Sequence, residues 1–452
     1  VANYQSQVIK KFKGLGPAQV LVLGFAGTIL VGSILLALPV SSANGEPIPY
    51  LDALFTATSA VCVTGLVLYN TADQFSAFGQ GVILALIQIG GLGIMTMSVL
   101  LSLLVGKRIT LKERLIIQQA YGQFGLSGMV KLIHLVLKVT LIVEFIGALL
   151  LSIRFSMDYE WKEAIYLGVF HSISAFNNAG FDLFANSLEA FTTDVYLNIV
   201  FMTLIILGGF GFTVVAELYS RRLGYRGLSL HTKLVLWVSA ALILLPTFVI
   251  MISEYTNPQT LGNLSVGEKF MAALFQSVTS RTAGFNTIPT DGLRPFTLLT
   301  IVFLMFIGGS PASTAGGIKT TTFGAMIASI WTTITGKQDI EVFNRRLPRE
   351  IADRAIAIAM MAFLLVSFTT FGLLATEGKE LMPTLFEATS AFGTVGLSTG
   401  LTEDLSSAGK MLIIFTMFAG RLGPLTLATA LAQKQKQFQK KIHLPEERLL
   451  VG

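Results

Sequence analysis

Four stretches of this sequence repeat one arrangement of residue types: Phe55–Gly65 (FTATSAVCVTG), Phe170–Gly180 (FHSISAFNNAG), Phe275–Gly284 (FQSVTSRTAG) and Phe386–Gly396 (FEATSAFGTVG). Each opens on phenylalanine, carries a hydroxyl residue four positions on and closes on glycine; the third is one residue shorter. The closing glycines stand 115, 104 and 112 residues apart, and self-similarity at a long period marks one structural unit used repeatedly. The chemistry open to such a stretch belongs to its backbone. Glycine tolerates dihedral angles closed to other residues, so a loop ending on it can turn successive carbonyl oxygens to one side. A row of such carbonyls can replace the hydration shell of a cation. Side chains then point away and are free to vary, as they do here: Val61-Cys62-Val63-Thr64, Asn177-Asn178-Ala179, Arg281-Thr282-Ala283 and Gly393-Thr394-Val395 before Gly65, Gly180, Gly284 and Gly396.

Such loops need elements to hold them. The chain has 452 residues, 53% of them hydrophobic and 13% charged, against about 25% charged in a soluble domain, so it reads as a polytopic membrane protein. Eight apolar segments are long enough to span: roughly 18–40, 75–105, 130–153, 194–219, 232–253, 295–334, 351–375 and 409–433. The first follows Lys10, Lys11 and Lys13 like a signal peptide, but its length exceeds the 7–15 residues, roughly, of a signal core, and it reads as a retained span. Shorter runs at 51–59, 162–174, 268–279 and 382–390 precede the four glycine loops. Runs of that length do not cross a bilayer and read as re-entrant; each would aim the negative end of its helix dipole at a cation. The repeating unit is therefore span, short helix, loop, span. The units divide the chain at 1–105, 106–222, 223–334 and 335–433, with a basic tail at 434–452.

Lys and Arg set the orientation. The segments 1–17, 106–131, 221–233, 335–354 and 434–452 hold 22 of them, and the loop-bearing segments 41–74, 154–193, 254–294 and 376–410 hold 7. The positive-inside rule puts both termini in the cytoplasm and all four glycine loops toward the outside. The tail Lys434–Arg448 is either a solvated or lipid-facing helix or a contact with a partner, and the amphipathic run Leu111–Phe124 could lie on the membrane or dock a cytosolic protein.

Charges inside spans mark function by default. Gly90-Gly91, Gly208-Gly209, Gly308-Gly309 and Gly420-Arg421 begin 25, 28, 24 and 24 residues after their loop glycines. Arg421 thus replaces the second glycine of a repeated pair, either as a pore-lining cation or in a salt bridge to Glu144 or Glu217. Arg281 is expected behind the third loop, buttressing it through a carboxylate such as Glu387. Asn177 and Asn178 read as hydrogen-bonding buttresses whose carbonyls are the ligands. The segment 295–334, about 40 residues, would be roughly 60 Å long as one helix against a core of about 30 Å, so a break is expected at Gly308-Gly309-Ser310-Pro311-Ala312-Ser313-Thr314-Ala315-Gly316-Gly317. This stretch is either a kink packed through small residues or a flexible intramembrane loop that closes a pore, with Arg421 holding it and Lys319 beside it. It is no phosphate-binding loop: Ile318 separates Gly317 from Lys319, and that motif needs Gly-Lys-Ser/Thr in succession.

Three functions compete. An ion-motive ATPase subunit needs a large soluble domain, which these segments leave no room for. A carboxylate-coupled secondary transporter needs acids in mid-span, and the main ones, Glu144 and Glu217, fall nearer the cytoplasmic halves of their segments. A carbonyl-lined pore accounts for all four loops. The endings VCVTG and GTVG look like the Thr-Val-Gly of potassium-channel filters. With their flanking segments, the four loops resemble the Trk/Ktr/HKT superfamily of potassium transporters over nearly the whole chain, and most closely the membrane subunits of bacterial Ktr systems. That resemblance implies an all-α integral membrane protein of the bacterial cell membrane, with four non-identical M1–P–M2 repeats around one pseudo-fourfold pore. It implies gated potassium uptake without enzymatic activity, sodium as modulator or companion ion, a homodimer, and a cytosolic nucleotide-binding regulatory ring resembling KtrA, with no nucleotide site on this chain. It also implies that an arginine at the place of Arg421 lies in the pore, and that glycine in all four loops accompanies potassium selectivity, serine in the first accompanying sodium.

Overall fold

A computed structural model of the chain describes residues 16–93, 129–220 and 227–432. The basic tail, the run Leu111–Phe124 and the N-terminal lysines lie outside these residues.

The chain alternates long and short helices. The first quarter holds α1 (Pro17–Ala37), α2 (Tyr50–Cys62), the single turn α3 (Thr71–Gln74) and α4 (Ala77–Leu92). Next come α5 (Met129–Phe155), α6 (Trp161–Phe176), α7 (Val195–Gly209) and α8 (Phe212–Ser220). The third quarter holds α9 (Leu230–Glu254), α10 (Val266–Thr279), α11 (Pro295–Phe306) and α12 (Thr320–Ile334). A hairpin of β1 (Ile340–Val342) and β2 (Arg345–Leu347) leads to α13 (Arg349–Glu377), α14 (Leu381–Gly393), α15 (Ser407–Leu422) and α16 (Pro424–Ala432). The hairpin is a short connection in an otherwise helical chain. Its turn residues Phe343 and Asn344 have φ of 49° and 59°, the left-handed pair that joins two strands tightly.

Among the described residues α1, α5, α9 and α13 are long and apolar enough to cross a bilayer. They expose large apolar side chains, Phe145 at 71%, Ile252 at 77% and Phe371 at 70%. An apolar exterior of this extent belongs against lipid. The chain is therefore a multi-pass, helical membrane protein. Of the second segments, the sequence predicts a break only in the third, and the structure breaks others too. The pair α7/α8 bends by 97° and α15/α16 by 92°, while α4 and α11 are shorter apolar helices. The cause is a glycine three residues after the first glycine of the first, second and fourth motifs. Gly93, Gly211 and Gly423 have φ of 83°, 89° and 82°, a left-handed backbone that glycine adopts at little cost and that ends an α-helix. Pro424 then opens α16 at the one turn where proline is well tolerated.

The short helices α2, α6, α10 and α14 have 13, 16, 14 and 13 residues, about 20–24 Å at 1.5 Å per residue, too short to span. They lie in the interior. Their opening phenylalanines Phe55, Phe170, Phe275 and Phe386 are fully buried, which is why the motif starts on a large apolar side chain.

Candidate functional site

The hydroxyl residue at the fourth position after each phenylalanine ties the short helix to its loop. Ser59 and Ser390 accept hydrogen bonds from the backbone N–H of Gly65 and Gly396, both at 3.1 Å. Ser174 and Thr279 instead donate to the carbonyls of Phe181 (2.6 Å) and Phe285 (2.5 Å), one residue past their glycines. The first and fourth loops thus share one fastening, and the second and third another.

All four loops also share a backbone signature. Two residues before each glycine stand Val63, Asn178, Thr282 and Thr394, with φ of 57°, 57°, 79° and 51°. The glycines follow at 88°, 70°, 84° and 95°. Non-glycine residues rarely adopt positive φ, and β-branched ones such as Val63 least readily. The same conformation at four equivalent places is a built feature held by its surroundings.

The glycines form a closed succession. A methyl group on Gly65 would lie 2.6 Å from Ala179 O, on Gly180 2.8 Å from Ala283 O, and on Gly284 2.5 Å from Val395 O; on Gly396 it would overlap Thr64 O. Each loop therefore abuts the carbonyl of the next, and the fourth returns to the first. Such a ring presents converging backbone oxygens and can strip and hold a cation of fitting size.

Above the ring opens a basin of about 400 Å³, lined by the four glycines and by Asp182, Glu189, Asp291 and Glu403, with no lysine or arginine among its lining residues. These acids escaped the sequence reading; the shortage of basic residues in the loop-bearing segments was the available signal. Burial pushes the Asp182 carboxyl up to about 6, although the Phe184 N–H (3.1 Å) and the Ser187 hydroxyl partly offset it. Burial, and then the charge of Asp291, also push Glu189 up from its ordinary value.

Three residues before the glycines stand Cys62, Asn177, Arg281 and Gly393, all buried. Asn177 Nδ2 donates to Gln88 Oε1 at 2.9 Å and to Glu144 Oε1 at 3.0 Å. Glu144 thus meets the end of α6 at the base of the second loop. That corrects the expectation that it belongs to the cytoplasmic half of its span. Arg281 turns away from the ring, but not to a carboxylate. It reaches the carbonyls of Ser239 and Gly308 at 3.5 and 3.4 Å. Its expected partner Glu387 accepts instead from Ser398 (3.0 Å) and Thr402, both in the segment after Gly396. That segment folds back over α14 and supplies hydroxyls closer at hand.

Below the ring, Gly90, Gly208 and Gly420 pack so tightly on the carbonyls of Val61, Phe176 and Phe392 that a methyl group on any of them would overlap the oxygen. This contact explains the first glycine in the first, second and fourth motifs; Gly308 of the third packs instead on Gly316 O. The third pair, Gly308-Gly309, opens the stretch between α11 and α12. Ser310 N–H and Thr314 N–H donate to Gly209 O (3.0 Å) and Gly208 O (3.3 Å), Phe212 N–H donates to Ala312 O (2.8 Å), and Gly316 lies against Thr394. Gly211 lies against Pro311, and Lys319 Nζ donates back to Ala315 O (2.6 Å) and Gly316 O (3.2 Å). Ser313 Oγ donates to Ser310 O at 2.7 Å, and Gly317 has φ 61°. Arg421 donates to Thr314 O, and to Gly90 O at 2.5 Å and Gly91 O at 3.4 Å. Neither carboxylate weighed from sequence is its partner. Glu144 serves Asn177 and Gln88, and Glu217 accepts from Ser229 N (2.7 Å) and Oγ (2.6 Å) and from Thr232.

The chain matches the family model "TrkH: Cation transport protein" over residues 24–441. It is 42% identical to Ktr system potassium uptake protein B of Bacillus subtilis, over 99% of each chain. It is 39% identical to potassium/sodium uptake protein NtpJ of Enterococcus hirae, over 97% of this chain and 98% of that protein. Its fold resembles the crystal structure of the potassium transporter TrkH from Vibrio parahaemolyticus, with a TM-score of 0.70 at 19% identity over 90% of this chain and 84% of that one. The chain belongs to the TrkH cation transport protein family, a family of transporters and not of enzymes.

Proposed function

We propose that the protein is a potassium uptake pore of the bacterial cell membrane. Four M1–P–M2 repeats, bounded at about residues 105, 222 and 334, surround one pseudo-fourfold axis, and the filter carbonyls belong to residues 61–65, 177–180, 281–284 and 393–396. The observation that carries this reading is the closed succession of four glycines beneath an acid-lined basin. The names of the relatives favour potassium as the ion, and that of the Enterococcus protein makes sodium the second ion to test. The short helices run toward the ring with their negative ends, which favours a cation of either kind.

The stretch Gly308–Gly317 acts as the gate, latched by Arg421 across Thr314 on one side and Gly90 on the other. Its contacts reach both the fourth loop and the break between α7 and α8, so movement of the inner helices is felt at the pore. By the likeness to Ktr membrane subunits, a homodimer works beneath a cytosolic nucleotide-binding ring resembling KtrA, which withdraws the gate. Both termini are cytoplasmic, and the glycine ring faces outward.

Flux of potassium, rubidium and sodium into liposomes holding the purified protein tests the reading. Potassium and rubidium should enter well ahead of sodium, and Gly65→Ser or Gly396→Ser should narrow that difference. Unchanged discrimination in both variants would falsify the carbonyl ring. With the regulatory ring added, exchanging ATP for ADP should change the flux.

A further inference from the structure

We propose that Glu144 is a positioning residue for ion discrimination, acting through a hydrogen-bonded triangle with Gln88 and Asn177 that joins the glycine ring to the Arg421 latch. The proposal rests on the pore reading above.

The triangle draws on three elements. Asn177 Nδ2, at the end of α6, donates to Gln88 Oε1 of α4 (2.9 Å) and to Glu144 Oε1 of α5 (3.0 Å). Gln88 Nε2 donates to the second carboxylate oxygen of Glu144 at 3.2 Å. Every edge is closed. Glu144 is 7% exposed and Asn177 fully buried, so water takes little part in satisfying these groups. A carboxylate inside a membrane protein is costly and marks function by default. Here each of its oxygens accepts from one carboxamide, and turning either carboxamide over would set its oxygen against the carboxylate.

Two consequences follow from what the triangle touches. Asn177 lies three residues before Gly180, next to Asn178 with its left-handed backbone; fixing the side chain of one fixes the peptide that leads into the other. On the opposite side, Gln88 lies two residues before Gly90, whose carbonyl receives Arg421. Gly91, which receives Arg421 more weakly, packs so closely on Asn177 Oδ1 that a methyl group there would overlap it. The groups that shape the second loop and those that hold the latch are therefore one packed unit, with Glu144 at its outer corner.

The donors and acceptors make the test sharp. Glu144→Gln keeps size and shape but turns an amide N–H₂ toward the N–H₂ of Gln88 or of Asn177. Asn177 Nδ2 keeps Ile173 O (2.9 Å) and Gln88 Oε1 as acceptors, so the donor left without an acceptor is on the new glutamine or on Gln88. The exchange Gln88→Glu with Glu144→Gln restores every edge: Asn177 donates to both neighbours, and the new glutamine donates to the new carboxylate. Full-length protein in liposomes is assayed for potassium and sodium uptake, with thermal unfolding followed by size-exclusion chromatography. Glu144→Gln should lower the potassium-to-sodium ratio by about tenfold, the scale of one lost buried hydrogen bond, and raise the basal flux by loosening Arg421. The double exchange should bring both back to within about twofold of the original protein, and it also decides the matter if the single variant does not fold. The proposal is overturned if Glu144→Gln matches the original protein while Gly396→Ser loses discrimination, or if the double exchange folds and fails to restore it. If Gly396→Ser also leaves discrimination intact, the pore reading has failed and the proposal falls with it.

Discussion

Lys410 Nζ lies 2.6 Å from Asp52 Oδ1, joining the last helical pair to the first short helix across 358 residues of sequence. Tyr69 donates to the other oxygen of Asp52 at 2.6 Å and, held by that bond, keeps its proton up to about pH 12. The pair closes the bundle where its two ends meet. Lys410→Met removes one partner from a largely buried ion pair, a loss of up to about 3 kcal/mol. Thermal unfolding in detergent should show a drop of several degrees, with Asp52→Asn in the Lys410→Met background recovering part of it.

Ser59→Ala and Ser390→Ala should each free the N–H of a ring glycine. Leaving a buried donor unmade costs about 1–3 kcal/mol, and the freed peptide lies in the ring itself. Sodium entry relative to potassium should rise in both, measured as competing uptake. Ser174→Ala frees a carbonyl past the ring and should cost stability with less change in selectivity. Equal selectivity losses in all three variants would argue against the two kinds of fastening.

Arg421→Ala, or deletion within Ala312–Gly316, should raise resting potassium flux and weaken its dependence on the regulatory ring. Arg421 bonds to carbonyls of two other parts of the chain, so its removal unlatches both at once. Resting flux that stays low and fully regulated in both variants would exclude the stretch as a gate.

The outer basin should make uptake sensitive to pH. Asp182 is charged above about pH 6 and neutral below it. Acidification therefore removes negative charge from a basin shared with Glu189, Asp291 and Glu403, and cation entry falls. At low salt a decline of about twofold between pH 7 and 5 is expected from the weaker local field, shrinking as ionic strength rises. Asp182→Asn should start lower and show a flatter pH profile. An unchanged profile in that variant assigns the pH response elsewhere.

Much of this architecture was legible because its parts recur. Phenylalanine, hydroxyl and glycine repeat at fixed spacing because each meets the same demand four times: a buried anchor, a fastening to the loop, and a left-handed backbone. The repeated glycine pair was legible as a shared depth, but its purpose, contact in three of the four units with the carbonyl four residues before the ring glycine, appears only in three dimensions. The glycine three residues after the first in the first, second and fourth motifs carried a signal that apolar length concealed. Gly211 and Gly423 sit inside segments long enough to span, yet they turn the chain by more than 90°. Partners of buried polar groups were the least legible. Spacing cannot tell that Glu387 meets Thr402 rather than Arg281, or that Glu144 meets Asn177, because those pairings depend on how separate segments fold over one another.

The residues three places before the ring glycines, Cys62, Asn177, Arg281 and Gly393, share one position and no chemistry. An assembly of four identical chains would have to repeat any change there fourfold, so a mildly harmful substitution would be felt four times over. In a single chain each change is made once, beside three unaltered neighbours. One quadrant can carry a guanidinium, another an amide tied to a distant acid, and a third no side chain at all. Selection can thus retune such a ring in quarter steps and give its members separate duties.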